Sequence, residues 1–173
     1  MEAPQFNDDI PAKPILSKIN NMAENIMFED FKRQAETDPR INFGAGLKAL
    51  LISDSAFGRA SGLQLYLSAK TDFEDVKLCF DISQVEDYLR SAAPDIIIYI
   101  GLQKNSENYN AMSMAQKVNK RVMAVMCDFL DAIAEHECRV YGIRYAFSSF
   151  KPVREGLCGL RQMFEDNCFR GHA

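Results

Sequence analysis

Apolar positions change their period several times along the chain. A lead-in of about thirteen residues shows no period. Then Ile15, Ile19, Met22 and Ile26 recur at spacings of four, three and four, which places them on one face of a helix. Met27, Phe28 and Phe31 widen that face. Pro14 suits a first helical turn, where its missing N–H costs little. Pro39 ends the run, because the residue before a proline is pushed out of helical space. The pattern predicts one amphipathic helix over about 15–36. Its apolar stripe needs a cover, from the following domain, another chain or a partner. Two heptads are too few to specify a coiled coil. The stretch NFGAG at 42–46 reads as a hinge or loop.

A regular alternation follows. LKALLI (47–52) is a short apolar run ending in polar Ser53-Asp54-Ser55, as a buried strand does. Residues 56–69 have helical spacing, with Ala60, Leu63 and Leu67 on one face. VKLCFDI (76–82) reads as a second strand. Ser83 with Glu86 three residues on predicts a capping box opening a short helix to about Ala92. IIIYI (96–100) is apolar throughout, so it reads as a central strand covered on both faces. A helix over 107–119, a strand over 121–126 and a helix over 128–141 bearing Phe129, Ile133 and Val140 come next. RYAFSS (144–149) is the fifth strand. Val153, Leu157, Leu160 and Phe164 mark the last helix. Strands alternating with helices, strand first, make an α/β fold with a parallel sheet. A flavodoxin-like sheet and a truncated Rossmann sheet both fit the size.

Composition narrows the function. Of 173 residues, 20 are basic and 24 acidic, a formal net charge of -4, which argues against a phosphate-binding surface and so against direct nucleic-acid binding. No apolar run approaches a membrane span, and the N-terminus lacks the pattern of a secretory signal. Cys79, Cys127, Cys138, Cys158 and Cys168 are odd in number and without metal-ligand spacing. They read as small buried hydrophobes of a reducing compartment, so a cytoplasmic location is expected, with no metal and no cofactor. After the first strand, SDSAFGRASG carries neither a GxGxxG nor a P-loop pattern.

Taken together, the stretch from about Lys48 to Phe164 resembles the receiver domain of two-component response regulators. KALLISDSAFGR stands where that family ends its first strand in an acidic pair, putting Ser53 and Asp54 at the pair. PDIIIYIG has the family's Pro-Asp opening at Pro94-Asp95, with Ile100 at the phosphate-accepting position. Met126-Cys127 stand where the family has a hydroxyl residue followed by a small one. FSSFKPVREGL supplies Lys151-Pro152 after the fifth strand. The family's aromatic switch position falls on Ser148 or Phe147. The resemblance implies a flavodoxin-like, doubly wound five-stranded parallel sheet of order 2-1-3-4-5 with an N-terminal helical extension. It divides the chain into an N-terminal segment and helix (1–46), a receiver-like domain (47–166) and a tail (167–173).

The departures are chemical. Receiver chemistry needs a carboxylate that takes the phosphoryl group, Mg²⁺ held by further carboxylates, and a lysine and hydroxyl that hold the product. Ile100 has no lone pair, and no Asp or Glu occurs between Ile96 and Lys104. Ser53 is a neutral ligand, which weakens the attraction for a hard cation. Asp54 suits N-capping as well as metal binding. The expectation is a degenerate pocket of Ser53, Asp54, Ile100, Met126, Cys127 and Lys151 in a pseudo-receiver, not an enzyme. Tyr99 is turned by strand alternation to the opposite face and is no substitute acceptor.

Such a module would act by contact with a protein partner or a second copy of itself. The resemblance implies the face of the last two helices and the fifth strand, with Glu135, Arg139, Arg144, Arg154, Glu155 and Arg161. The helix stripe Ile15, Ile19, Met22 and Ile26 would add to it. Two alternatives stand beside this reading. One is an N-terminal regulatory fragment of a larger DNA-binding response regulator, since the tail here is too short for a helix-turn-helix. The other is a small α/β enzyme using Ser53 and Ser55, or Cys127 with His136 as a thiol nucleophile, although no G-x-S-x-G elbow is present.

Overall fold

The computed structural model describes residues 12–53, 57–101, 122–128, 131–140 and 142–170. The elements are α1 (Ala12–Thr37), β1 (Lys48–Ser53), α2 (Phe57–Lys70), β2 (Asp75–Cys79), α3 (Ile82–Ser91), β3 (Ile96–Ile100), β4 (Val122–Cys127), α4 (Ala132–Val140), β5 (Tyr145–Ser148) and α5 (Val153–Arg170). The five strands form one sheet in the order β2-β1-β3-β4-β5, and every neighbouring pair is parallel. The flavodoxin-like plan with its N-terminal helix is therefore the fold. The helix expected over 107–119, Phe129, Asp54 and Ser55 lie outside the described residues.

Strand alternation sorts the sheet's side chains into two layers. Leu51, Ile98, Ile100 and Met126 pack with Ala60, Leu63 and Leu67 of α2 and with Val153, Leu157, Leu160 and Phe164 of α5. Leu50, Ile52, Ile97, Tyr99 and Val125 pack on the other face with Val85 and Tyr88 of α3 and Cys138 of α4. Tyr99 thus faces away from Ile98 and Ile100, as alternation required. All of β3 is buried, which is why an unbroken Ile-rich run is tolerated here; each such residue contributes roughly 2 kcal/mol of burial. Asp95 clamps the strand start: its carboxylate accepts from the Lys48 N–H at 2.9 Å, and its own N–H donates to the Lys48 carbonyl at 2.8 Å.

The N-terminal helix is part of this packing. Phe31, Ala35, Ile41 and Phe43 belong to the same buried cluster as α2 and α5. The close approach is made by Gly58 and Gly62, one turn apart on α2. A Cβ on Gly58 would run into the Glu24 carbonyl group, and one on Gly62 would lie 2.6 Å from the Phe31 ring. Only glycine leaves that notch open. The segment after α1 is held as well. Asp72 accepts from the Phe43 N–H at 2.7 Å and the Gly44 N–H at 3.1 Å, and Phe43 stacks on Phe73 with ring centroids 4.8 Å apart. The stretch read as a hinge or loop is a tethered loop.

Several local expectations are corrected. The outward side of α1 carries Met22 and Ile26, 63% and 66% exposed, so the packed face is that of Phe31 and Ala35, with Met27 beside them. The sequence stripe merged two faces of one helix. The second strand ends at Cys79, and Asp81, not Ser83, caps α3. Its side chain accepts from the Gln84 N–H at 2.8 Å, while Gln84 accepts from the Phe80 N–H at 2.6 Å. A carboxylate cap with a reciprocating glutamine outcompetes the Ser83–Glu86 pair. Helix α4 starts at Ala132, and Ile133 and Val140 are 67% and 66% exposed. Among the described side chains of this helix Cys138 is the buried one, so the face set against the sheet is that of Cys138 and not that of Ile133 and Val140.

Candidate functional site

Parallel sheets of this type place sites at the carboxyl ends of their strands. The register there sets Ser53 beside Ile100, Ile100 beside Met126, and Met126 beside Phe147. Ser53, Ile100, Met126 and Phe147 are all buried, so three expected pocket positions form one closed, mostly apolar row. Among the described residues the buried Ser53 hydroxyl has no hydrogen-bond partner, a cost of about 1–3 kcal/mol. Cys127 is paired with Ser148, and its thiol lies 3.8 Å from the Phe147 carbonyl oxygen. Burial first, then the nearby Cys138, Asp128 and Asp131, push that thiol up to about 11. It is protonated at neutral pH, and His136, the base considered for it, is exposed on α4. Lys151 is exposed on the turn between β5 and α5. It lines a surface cavity of about 370 Å³ with Asp128, Tyr145, Phe147, Ser148 and Phe150.

A polar network that the sequence did not suggest crosses this end of the sheet. Arg59, at the start of α2, donates through Nη1 to Glu24 Oε1 of α1 at 2.6 Å. Its backbone N–H donates to Glu24 Oε2 at 3.0 Å. Through Nη2 it reaches Asp128 Oδ2, after β4, at 2.9 Å. Asp128 Oδ1 in turn accepts from the Ser149 hydroxyl at 2.6 Å, and the Asp128 carbonyl accepts from the Ser148 hydroxyl at 3.0 Å. Helix α1 makes a further tie: Gln34 Oε1 accepts from the Val153 N–H, the first of α5, at 2.9 Å. A helix N-terminus has unsatisfied N–H groups, and here a side chain from another helix takes one of them. Tyr66 donates to Asp38 Oδ2 at 2.6 Å; burial, with that carboxylate, holds its phenol well above the usual range. The loops after β4 and β5 are thus joined to α1 through charged hydrogen bonds. No local motif announces this, because Glu24, Arg59, Asp128 and Ser149 are brought together only by the fold.

The expected contact face is partly gathered. Glu135, Arg139 and Arg144 line one shallow surface cavity of about 260 Å³ beside Cys138 and Tyr145. Glu155 belongs to the cavity around Lys151. Arg154 and Arg161 are half-buried on α5. Arg161 pairs with Glu165 of its own helix at 3.1 Å, and Arg154 donates to the Cys158 sulfur at 3.5 Å. Phe150 stands 58% exposed just beyond β5. The remaining stripe positions, Ile15 and Ile19, lie where no side chain is described. No described helix is long and apolar enough to cross a membrane.

No family model matches the chain, and no curated protein matches it significantly. Solved structures do. A two-component response regulator from Clostridium difficile superposes with a TM-score of 0.57 at 11% identity, over 68% of this chain and 96% of that one. A LuxR-family two-component response regulator from Aurantimonas sp. SI85-9A1 gives 0.59 at 10% identity, over 70% and 87%. A chain from the structure of the P1 domain of CheA3 in complex with CheY6 from R. sphaeroides gives 0.55 at 13% identity, over 71% and 97%. At such identities the likeness establishes architecture. The chain has the fold of response-regulator receiver domains.

Proposed function

We propose that this chain is a pseudo-receiver, a signalling module that keeps the receiver fold without its phosphoryl chemistry and works by contact between proteins. One observation carries the reading. Ile100, which the resemblance in layout sets at the position of the acceptor carboxylate, is buried between Ser53 and Met126 in the row at the strand ends. A hydrocarbon side chain cannot attack phosphorus, and no pKa shift supplies a lone pair. The protonated, buried Cys127 is no replacement nucleophile, which favours a non-enzyme. The Arg59 network supports the same reading. It joins the loops after β4 and β5 by fixed side chains where a receiver would join them through a phosphoryl group.

The partner is a protein by this reading. In the structural neighbour from R. sphaeroides a CheA3 P1 domain is in complex with CheY6. The surface suited to such contact here is that of α4, β5 and the start of α5, where Glu135, Arg139, Arg144 and Glu155 present mixed charge beside exposed apolar residues.

Incubation of the full chain with acetyl phosphate and Mg²⁺, and separately with beryllium fluoride and Mg²⁺, tests the proposal. The expected result is an unchanged intact mass and an unchanged amide spectrum. A hydroxylamine-labile phosphoryl group, mapped to any Asp by peptide mass, would overturn it.

A further inference from the structure

Helix α1 has two faces, and the fold uses one. Glu24, Phe31 and Ala35 are directed at α2 and the core. Met22 and Ile26, four residues apart, are exposed on the opposite side. Single exposed apolar residues are ordinary. These two, however, end the sequence stripe Ile15-Ile19-Met22-Ile26, whose spacings of four, three and four are those of a heptad seam. Residues 12–37 are one continuous helix, so all four positions share a face. The next two seam positions are Glu29 and Arg33, both exposed. The seam is therefore short, with a polar end.

Its symmetry and its charges decide what covers it. Spacings of four, three and four read the same in either direction. In an antiparallel pair of α1 helices about a two-fold axis, position 15 stands opposite 26 and position 19 opposite 22. Every seam position then meets an apolar one, as an isologous interface requires. Glu29 and Arg33 fall at or beyond the start of the partner helix. A parallel pair would instead set Glu29 against Glu29 and Arg33 against Arg33 inside the seam, two like-charge contacts. The flanks agree with the antiparallel choice. By heptad position, same-named flanks meet in such a pair. Leu16 then faces Ala23 of the other copy, and Lys18 faces Asn25, with no like charges opposed.

We infer that α1 is a self-association helix, joining two copies of this chain through an antiparallel contact over 15–26. The contact is separate from the surface of α4, β5 and α5, and it is independent of whether the chain accepts phosphate. The opposite face of α1 is already seated in the notch at Gly58 and Gly62. The helix is thus held to the domain from Glu24 onward, which lowers the ordering entropy lost on pairing.

Sedimentation equilibrium of the full chain over a range of concentrations reads the result. The native chain is expected in a reversible monomer–dimer equilibrium. Met22→Glu with Ile26→Glu should raise the dissociation constant on the order of a hundredfold and leave the circular dichroism of the monomer unchanged. Position 25 reports the orientation. In the antiparallel pair Asn25→Glu gains Lys18 of the other copy and should tighten the dimer about fivefold, whereas Asn25→Lys should loosen it by a similar factor. Adding Lys18→Glu to Asn25→Lys should reverse the loosening and tighten the dimer past the native constant, as Asn25→Glu does. In a parallel pair position 25 would approach Asp30 of the second helix, and both signs would reverse. A chain that stays monomeric overturns the inference, as does a dimer indifferent to the Met22 and Ile26 substitutions. A dimer tightened by Asn25→Lys overturns the antiparallel arrangement. Should the double glutamate variant lose helix, the position 25 set, on an exposed flank, decides alone.

Discussion

The two faces of the sheet are built from the same strands and are closed in different ways. On one, α2 and α5 pack on Leu51, Ile98, Ile100 and Met126, and α1 adds a further layer seated in the notch at Gly58 and Gly62. On the other, among the described residues, α3 and α4 cover Leu50, Ile52, Ile97 and Tyr99, while Ile133 and Val140 of α4 face outward. The first face has its loops tied by Arg59, Asp128 and Gln34. This asymmetry determines where contact with a partner can arise. A helix surface already buried by α1 is lost to partners, whereas α4 keeps Ile133 and Val140 exposed, uncovered among the described residues.

The contrast fails at once if α1 is not a working part of the core. Phe31 is 2% exposed and sits directly over Gly62. Phe31→Ala should cost about 3–5 kcal/mol in urea unfolding, from lost burial and the cavity left behind. Gly62→Ala should cost about 1–3 kcal/mol, because its new Cβ drives into the Phe31 ring. The double variant should cost less than the sum, since losing the ring relieves part of the clash and leaves the position 31 Cβ, 2.9 Å away. Additive costs would mean that the ring of Phe31 does not lie over Gly62.

The next largest effect belongs to Arg59 and the loops it ties. Its side chain and that of Glu24 are 20% and 19% exposed. The pair is thus neither a surface ion pair worth little nor a fully buried one. Arg59→Met should destabilise by about 1–2 kcal/mol, with the partly exposed Asp128 contributing the smaller share. A cycle with Glu24→Gln should return a coupling near ~1 kcal/mol. Amide exchange should quicken at the loops after β4 and β5 and stay unchanged in β3. Uniform acceleration across the sheet would show ordinary loss of stability and no specific tie.

How much of this the sequence carried depends on the range of the forces involved. β3 was legible to the residue, because a fully apolar β-branched run has one comfortable place in such a fold. The last helix was equally plain from Val153, Leu157, Leu160 and Phe164, all of which are buried. That Ser53, Ile100 and Met126 adjoin was legible through resemblance in layout, since register follows once the strands are placed. Period alone failed where two faces of one helix are both apolar, as on α1. It failed again on α4, where the apolar face of Ile133 and Val140 is not the face set against the sheet. The network of Glu24, Arg59, Asp128 and Ser149 was invisible. Its members are joined by tertiary approach, and the notch that allows it reads in the sequence only as two glycines in a helical segment.

The smallest expected effect on stability is also the most discriminating. Ile133 and Val140 lie seven residues apart on α4, on one helical face, and both are exposed. If that face serves a partner and not the fold, Ile133→Glu and Val140→Glu should each change unfolding free energy by no more than about 0.5 kcal/mol. The same substitution at Phe31 would unfold the core. Thermal and urea unfolding of the two α4 variants beside Phe31→Ala makes the contrast directly. A loss of more than about 1 kcal/mol at either α4 position would place it under cover. The two faces of the sheet would then be equally closed, and the contact surface would have to be sought on the outward side of α1 alone.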